Sequence, residues 1–236
     1  MLWKDEDYLK TIAIIPARSG SKGLKDKNIK KLAGKPLMAY SIDAAIKSKI
    51  FDTIMVSTDS DEYAKIAMEL GAEVPFLRSE KTASDEATTR DCMLEVLDKY
   101  RSLGKTFNRF MILQPTSPLR TWQDILEADK LYRLKNAKSV VSICEMDHSP
   151  LWSNKIGEDL SLSNFIRRSN GVRRQELNKF YRINGAIYLH DVKHYLNNEY
   201  YFDDKCFGYI MKKETSIDID DSLDFKIAEV ILGEML

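Results

Sequence analysis

Short apolar runs of strand character alternate with amphipathic helical stretches along most of this chain. That alternation limits the fold to a mostly parallel sheet covered by helices. Residues 11–17 are β-rich and read as a first strand. Residues 36–49 read as a helix with Pro36 in its first turn and Met38, Ile42 and Ala45 on one face. "TIMVSTD" (53–59) reads as a second strand, and "DEYAKIAMELG" as a helix that stops at Gly71. "AEVPFLR" is extended. Asp85 or a neighbour caps the next helix, whose inner face is Met93, Val96, Leu97 and Tyr100. "RFMILQPTSPLR" is a buried strand broken by a proline-rich turn, "WQDILEADKLYRL" a helix, and "SVVSICEM" a strand.

The pattern lapses after about Met146. A stretch this long without clear periodicity is an excursion from the core, read as two strands and a helix. "INGAIYLHD" returns as a strand, and "SLDFKIAEVILGEML" closes the chain as a helix with Leu223, Ile227, Val230 and Ile231 inward. The division is therefore a core of residues 11–146 and 182–236, an excursion at 147–181, and a ten-residue N-terminal extension at 1–10.

The loop after the first strand carries the chemistry. In open α/β sheets ligands bind beyond the carboxyl ends of the strands, and residues 18–28 stand at such an end. Gly20 and Gly23 let the backbone turn and approach a ligand, and Arg18, Lys22, Lys25 and Lys27 surround it with positive charge. The loop matches neither GxxxxGK[ST] nor GxGxxG. It reads as a triphosphate site or as a solvated basic loop, the latter favoured for Lys25, Lys30 and Lys31. Lys plus Arg and Asp plus Glu number 36 each, so the cations are local and the net charge is zero. That balance argues for a small anionic ligand and against a nucleic-acid partner.

The N-terminus lacks the apolar core of a signal peptide, and no apolar run approaches the roughly 20 residues that span a bilayer. A membrane partner is not expected. Cys92, Cys144 and Cys206 form no CxxC pair and have no zinc spacing with His148, His190 or His194. Three free thiols fit a reducing, cytoplasmic setting.

Asp218 and Asp220 in "SIDID" are two apart, so an extended backbone would turn both to one face, about 7 Å apart at Cα. They read as a hard-cation pair or as turn acids before a helix. Asp221 and Asp224 read as cap and dipole acids of that helix.

"IPARSGSKGLKDKN", "LAGKPLMAYSIDAA", "VSTD", "ASDEATT", "LQPTSPLR", "RINGAIY" and "SIDIDDSLDF" stand in order along nearly the whole chain. In that order they resemble the sialic acid cytidylyltransferases, or CMP-acylneuraminate synthetases. The resemblance implies a three-layer Rossmann-like nucleotidyltransferase fold with a small dimerisation excursion. It implies an enzyme that joins CTP to a nine-carbon α-keto acid sugar and releases pyrophosphate.

Carried over by motif, Arg18 and Lys22 would hold the triphosphate and Lys27 the phosphate under attack. Asp218 and Asp220 would hold Mg²⁺, with Mn²⁺ as an alternative, and Asp220 would count among the catalytic groups. Asn28, Arg78, Ser84 and Thr89 would bind the nucleotide; alone, Thr89 also reads as a helix-start hydroxyl. Gln114, Arg174 and Tyr188 would bind the sugar, Arg174 through its carboxylate. Arg173 is an alternative to Arg174, and Tyr188 reads equally as a half-buried strand tyrosine. Arg120 reads as a residue that ties the 113–120 loop down, and Asn184 and Gly185 as shaping their strand's entry.

The excursion would make a homodimer with shared active sites, Arg174 serving the partner's. N-acetylneuraminate is the first expectation for the sugar. Legionaminate, pseudaminate and the eight-carbon Kdo are alternatives within the same chemistry. A metal-dependent glycosyltransferase and a non-catalytic nucleotide-binding protein are alternatives outside it.

Overall fold

Ile12, Ala13, Ile14 and Ile15 are all buried, as a strand covered on both faces requires. They form β1 (Thr11–Pro16) in a computed structural model that describes residues 9–20, 23–163, 165–166 and 178–235. A two-strand hairpin, β2 (Lys31–Leu32) and β3 (Lys35–Pro36), leads into α1 (Leu37–Ser48), β4 (Thr53–Ser57) and α2 (Asp61–Glu69). A short α3 (Glu80–Ala83) and a long α4 (Thr89–Ser102) precede β5 (Arg109–Ile112), α5 (Trp122–Leu134) and β6 (Ser139–Glu145). The chain ends with β7 (Tyr181–Asp191), α6 (Val192–Asn197), β8 (Cys206–Met211) and α7 (Ser222–Met235).

The main sheet has the order β4-β1-β5-β7-β6-β8. β1 is parallel to β4 and β5, and β6 is parallel to β8. β7 runs against both its neighbours, so it alone is reversed. This is the expected mostly parallel α/β sheet.

Alternation along the strands sorts side chains into two cores. Ala13, Ile15, Val56 and Met111 pack with Met38 and Ile42 of α1 and Ile125 of α5 on one face. Ile12, Ile14 and Phe110 pack with Met93, Val96 and Tyr100 of α4 and Tyr195 of α6 on the other. The expected inner faces of α1 and α4 are therefore the observed ones. Helices on both sides make three layers. The buried Arg109–Asp129 pair, 2.5 Å apart, ties β5 to α5, with Thr11 Oγ1 also accepting from Arg109.

The expectation of two strands and a helix in the excursion falls in part on residues 164 and 167–177, outside the described residues; the described part of 147–180 holds no strand and one short helical turn, Pro150–Trp152. Two other expectations fail. On α7, Leu223 and Val230 are 63% exposed and Ile227 is 39% exposed, while Phe225 and Ala228 are buried against Leu32 and Leu37. The helix carries two apolar stripes, and the Phe225–Ala228 stripe, not the predicted one, faces the core. The expected strand 53–59 ends at Ser57, and Asp59 leaves the sheet to accept from Ser19. α3, α6 and β8 were not anticipated.

Candidate active site

Beyond the carboxyl ends of β1 and β5 lies a cleft of about 440 Å³. One wall is the loop that follows β1. Asp59, just past β4, anchors it by accepting from the backbone N–H and the hydroxyl of Ser19 at 2.7 and 2.8 Å. Burial alone would raise the Asp59 carboxyl; the bonds from Ser19 and the nearby Arg78 outweigh it and hold the group below the usual range. Asn28, 5% exposed, donates through Nδ2 to the carbonyl of Arg18 and closes the loop on itself.

The opposite lip is residues 78–89. Arg18 spans the gap to it: Nη1 donates to the carbonyls of Ala83 and Ser84, and Nη2 pairs with Asp85 at 2.8 Å. Thr88, a neighbour of Asp85, caps α4 in a capping box with Asp91. Arg78 is fixed by a bond from Nε to Ser57 Oγ at 2.9 Å. Thr89 is the first residue of α4 and lines the cleft beside Ser84. Glu95 of α4 holds this lip in place, accepting from Ser79 N–H at 2.8 Å and from the Thr82 hydroxyl, with Lys99 as its counter-ion at 2.5 Å.

The floor is the segment before α7. Ile219 N–H donates to the Thr116 carbonyl at 2.8 Å, which joins this segment to the turn after β5. Asn184, buried on β7, donates to Ser216 Oγ and so fixes where the segment starts. Lys27 reaches across: Nζ donates to the Ile219 carbonyl at 2.6 Å and stands 3.5 Å from Asp220 Oδ1. Gly23 rests on the Asp220 backbone so closely that an added Cβ would lie 2.4 Å from its carbonyl oxygen. The basic loop and the two acids therefore meet in one place.

Asp218 and Asp220 differ in setting. The Asp220 side chain is 82% exposed. Asp218 is half-buried, and its buried Oδ1 has no hydrogen-bond partner among the described residues. Burial raises its carboxyl above the ordinary range and Asp220 pushes the same way, against a bond from Thr116 and the nearby Lys27. A buried, unpartnered oxygen beside a second carboxylate suits a divalent cation with hard oxygen ligands. Among the described residues no group of three or more His, Cys, Asp or Glu gathers for a metal.

Gln114 and Asp218 converge on β7 at Gly185. Its φ is +79°, and an added Cβ would lie 2.4 Å from Gln114 Oε1 and 3.1 Å from Asp218 Oδ2. Arg120 is buried and donates to the carbonyls of Gln114 and Ala186 and to Ser41 Oγ, so it ties the turn down as expected. Tyr188 lies in an adjoining cavity, not in the main cleft; Gln114 lines both. Burial pushes the Tyr188 hydroxyl up to about 12.

Arg18, Lys27, Asn28, Arg78, Ser84, Thr89, Gln114 and Asp220 thus line one cleft, with Asp218 at its edge. Lys22 and Arg174, with the alternative Arg173, lie outside the described residues. Sequence reasoning missed Asp85 as the partner of Arg18, Asp59 as the loop's anchor, and Glu95. The short Ser-Asp step in "ASDEATT" was the one local signal for Asp85.

Residues 12–227 match the family model described as Cytidylyltransferase. The chain is 40% identical over 223 residues to the N-acylneuraminate cytidylyltransferase of Escherichia coli, covering 94% of this chain and 52% of that protein. It is 34% identical to the CMP-N,N'-diacetyllegionaminic acid synthase of Legionella pneumophila, covering 95% and 97% of the two chains. The chain thus spans about half the length of the first relative and nearly all of the second. Its fold is that of a CMP:2-keto-3-deoxy-manno-octonic acid synthetase solved with CTP, at a TM-score of 0.72 and 15% identity over 96% of this chain and 100% of that one.

Proposed function

The chain belongs to the cytidylyltransferase family, and on that basis we propose that it transfers CMP from CTP to the anomeric hydroxyl of a sialic-acid-like nine-carbon α-keto acid sugar. The sugar hydroxyl oxygen forms a bond to the α-phosphorus and gives up its proton to solvent, the bond from that phosphorus to the bridging oxygen breaks, and pyrophosphate leaves with that electron pair. N-acetylneuraminate is the first candidate, since it fits the name of the E. coli relative. Legionaminate follows from the Legionella relative; pseudaminate and Kdo belong to the same chemistry.

One observation carries the reading: Lys27 bridges the basic loop and the Asp218–Asp220 segment inside the cleft. A phosphoryl group there meets cations on one side and carboxylates on the other, which is what in-line transfer needs for charge and alignment. Arg18 and Lys22 hold the triphosphate, and Lys27 faces the phosphorus under attack. Asn28, Arg78, Ser84 and Thr89 receive the cytosine and ribose. Gln114, Tyr188 and Arg174 receive the sugar.

Asp218 and Asp220 would hold Mg²⁺, or Mn²⁺ in its place. When bound, the cation supplies charge neutralisation at the phosphate oxygens and polarises the attacking hydroxyl. Asp218 and Asp220 keep that charge at the junction of the loop and the sugar side, and Gln114 orients the acceptor. We assign residues 147–181 to a twofold dimer in which Arg174 completes the partner's site. The three free cysteines and the absence, among described helices, of one long and apolar enough to cross a membrane support a cytoplasmic setting.

Pyrophosphate release is the test, with CTP, Mg²⁺ and a panel of acid sugars, and UTP and ATP as controls. Release with CTP and one nine-carbon sugar is expected. Release with no acid sugar, or equal release with UTP and ATP, would overturn the reading.

A further inference from the structure

Arg18 is the loop cation assigned to the triphosphate, yet the protein itself already engages its guanidinium. Nη1 donates to the carbonyls of Ala83 and Ser84 at 3.2 and 3.1 Å, and Nη2 pairs with Asp85 at 2.8 Å. The Asp85 carboxylate therefore takes the place on Arg18 that a phosphate oxygen would take. The pair is open to water, with the Arg18 side chain 32% exposed and that of Asp85 48%. Both residues line the nucleotide cleft.

The two backbones are held on either side of the pair. The carbonyl of Arg18 accepts from Asn28 Nδ2 at 3.0 Å, and the next residue, Ser19, is bound to Asp59 through its backbone N–H and its hydroxyl. Asp85 lies in the turn between α3 and α4, where Ala87 N–H donates to the Ser84 carbonyl at 3.3 Å. Ser79 caps α3 before that turn and Thr88 caps α4 after it. With the backbones fixed, what can exchange is the side-chain pairing. Carboxylate and phosphate oxygens are alternative acceptors for a guanidinium edge, so they compete for Nη2. Nη1 can keep the lip carbonyls while Nη2 changes partner, so the exchange does not require the lip to open.

We propose that Asp85 is an internal competitor for Arg18, one that weakens phosphate binding and so eases the release of pyrophosphate. A ligand that takes Nη2 must break the Arg18–Asp85 pair, and its affinity falls by the worth of that pair. Affinity differences of this kind fall mostly on dissociation. When pyrophosphate leaves, Asp85 takes Arg18 back and no bare cation remains behind. The cytosine and ribose do not use Nη2, so their binding is untouched. The inference rests on the cytidylyl-transfer reading in taking Arg18 as a phosphate ligand.

Titration calorimetry with Mg²⁺ and without acceptor sugar tests it, using CTP, pyrophosphate and cytidine as ligands. Asp85→Asn keeps the size of the side chain and should tighten CTP and pyrophosphate by about 2- to 5-fold, the range of a half-exposed ion pair. Cytidine, which has no phosphate, should bind as it does to the wild type, and Asp85→Glu should stay near the wild type for all three. In turnover, pyrophosphate should inhibit Asp85→Asn at a concentration lower by the same factor. Weaker CTP binding in Asp85→Asn would mean that Asp85 aims Arg18 at the phosphates, and unchanged binding that the pair is never broken; either overturns the inference. An equal shift for cytidine would mean that the lip has moved, and overturns it too. Arg18→Met separates the inference from the wider reading. In that background Asp85→Asn should lose most of its effect, because no guanidinium is left to release. A gain of undiminished size would make Asp85 a long-range repulsion and not a competitor. If Arg18→Met alone leaves CTP and pyrophosphate binding unchanged, Arg18 is no phosphate ligand and the inference falls, while cytidylyl transfer still stands or falls on pyrophosphate release with CTP and an acid sugar.

Discussion

Lys27 is held at both ends of its reach, by the Ile219 carbonyl and by Asp220, and its side chain is only 12% exposed. A cation fixed in advance needs no reorganisation when charge develops on a phosphate, so its effect should fall on the transition state. Lys27→Ala should lower kcat by about 10²- to 10³-fold with a much smaller change in the KM for CTP. The reverse split would make Lys27 a plain binding group. Asp218 has the opposite character. Its carboxyl is raised in the folded chain, so between its ordinary pKa and the raised one the folded state binds more protons than the unfolded. Stability therefore falls as pH climbs through that window and stays lower above it. Asp218→Asn should then raise Tm at neutral pH, by about 2–4 °C for a chain of this size, while abolishing turnover. A lower Tm would mean the carboxylate is satisfied without a cation. Arg18 and Lys27 were legible in the sequence because one basic loop carries them, and Asn28 only through the family resemblance. The Arg18–Asp85 and Arg109–Asp129 pairs were not, since each partner lies on a separate element and nothing local marks it.

β7 lets Gln114 and Asp218 converge because Gly185 leaves no side chain there, and in the proposed reaction this is the acceptor side. A methyl there would strike Gln114 Oε1 on a backbone that already has positive φ. Gly185→Ala should cost about 1–3 kcal/mol in urea unfolding from the backbone alone, and it should raise the KM for the sugar more than that for CTP. Wild-type kinetics in a folded variant would remove β7 from the acceptor site. The strands buried on both faces and the long amphipathic helices were legible, since periodicity reports burial directly. α7 misled because it carries two apolar stripes, and periodicity alone does not say which one finds Leu32 and Leu37. α3 has four residues and α6 six, too few turns for a stripe to repeat. β8 runs along the sheet edge with Ile210 58% exposed, so it lacks the apolar run of a central strand.

Some of the exposed apolar residues lie at the end of the sheet where the excursion leaves it. Tyr181 and Ile210, 40% and 58% exposed, line one broad groove with Ile231 of α7, and Ile183 is 45% exposed nearby on β7. Charged Glu145, Lys179, Lys212, Lys213, Glu214 and Glu234 line the same groove, and a twofold dimer would use one such mixed patch twice. If Arg174 completes the partner's site, two defective subunits can repair each other. In a dimer of Asp220→Ala with Arg174→Ala, one site combines an intact Asp220 from one chain with an intact Arg174 from the other. Its second site carries both defects. Random pairing of equal amounts makes half the dimers mixed, so about a quarter of all sites should work. Co-expression of the two variants, with pyrophosphate release as the readout, should recover that fraction, although each variant alone has little activity. If Arg174 serves its own chain's site, every site in the mixture keeps one defect and no activity returns.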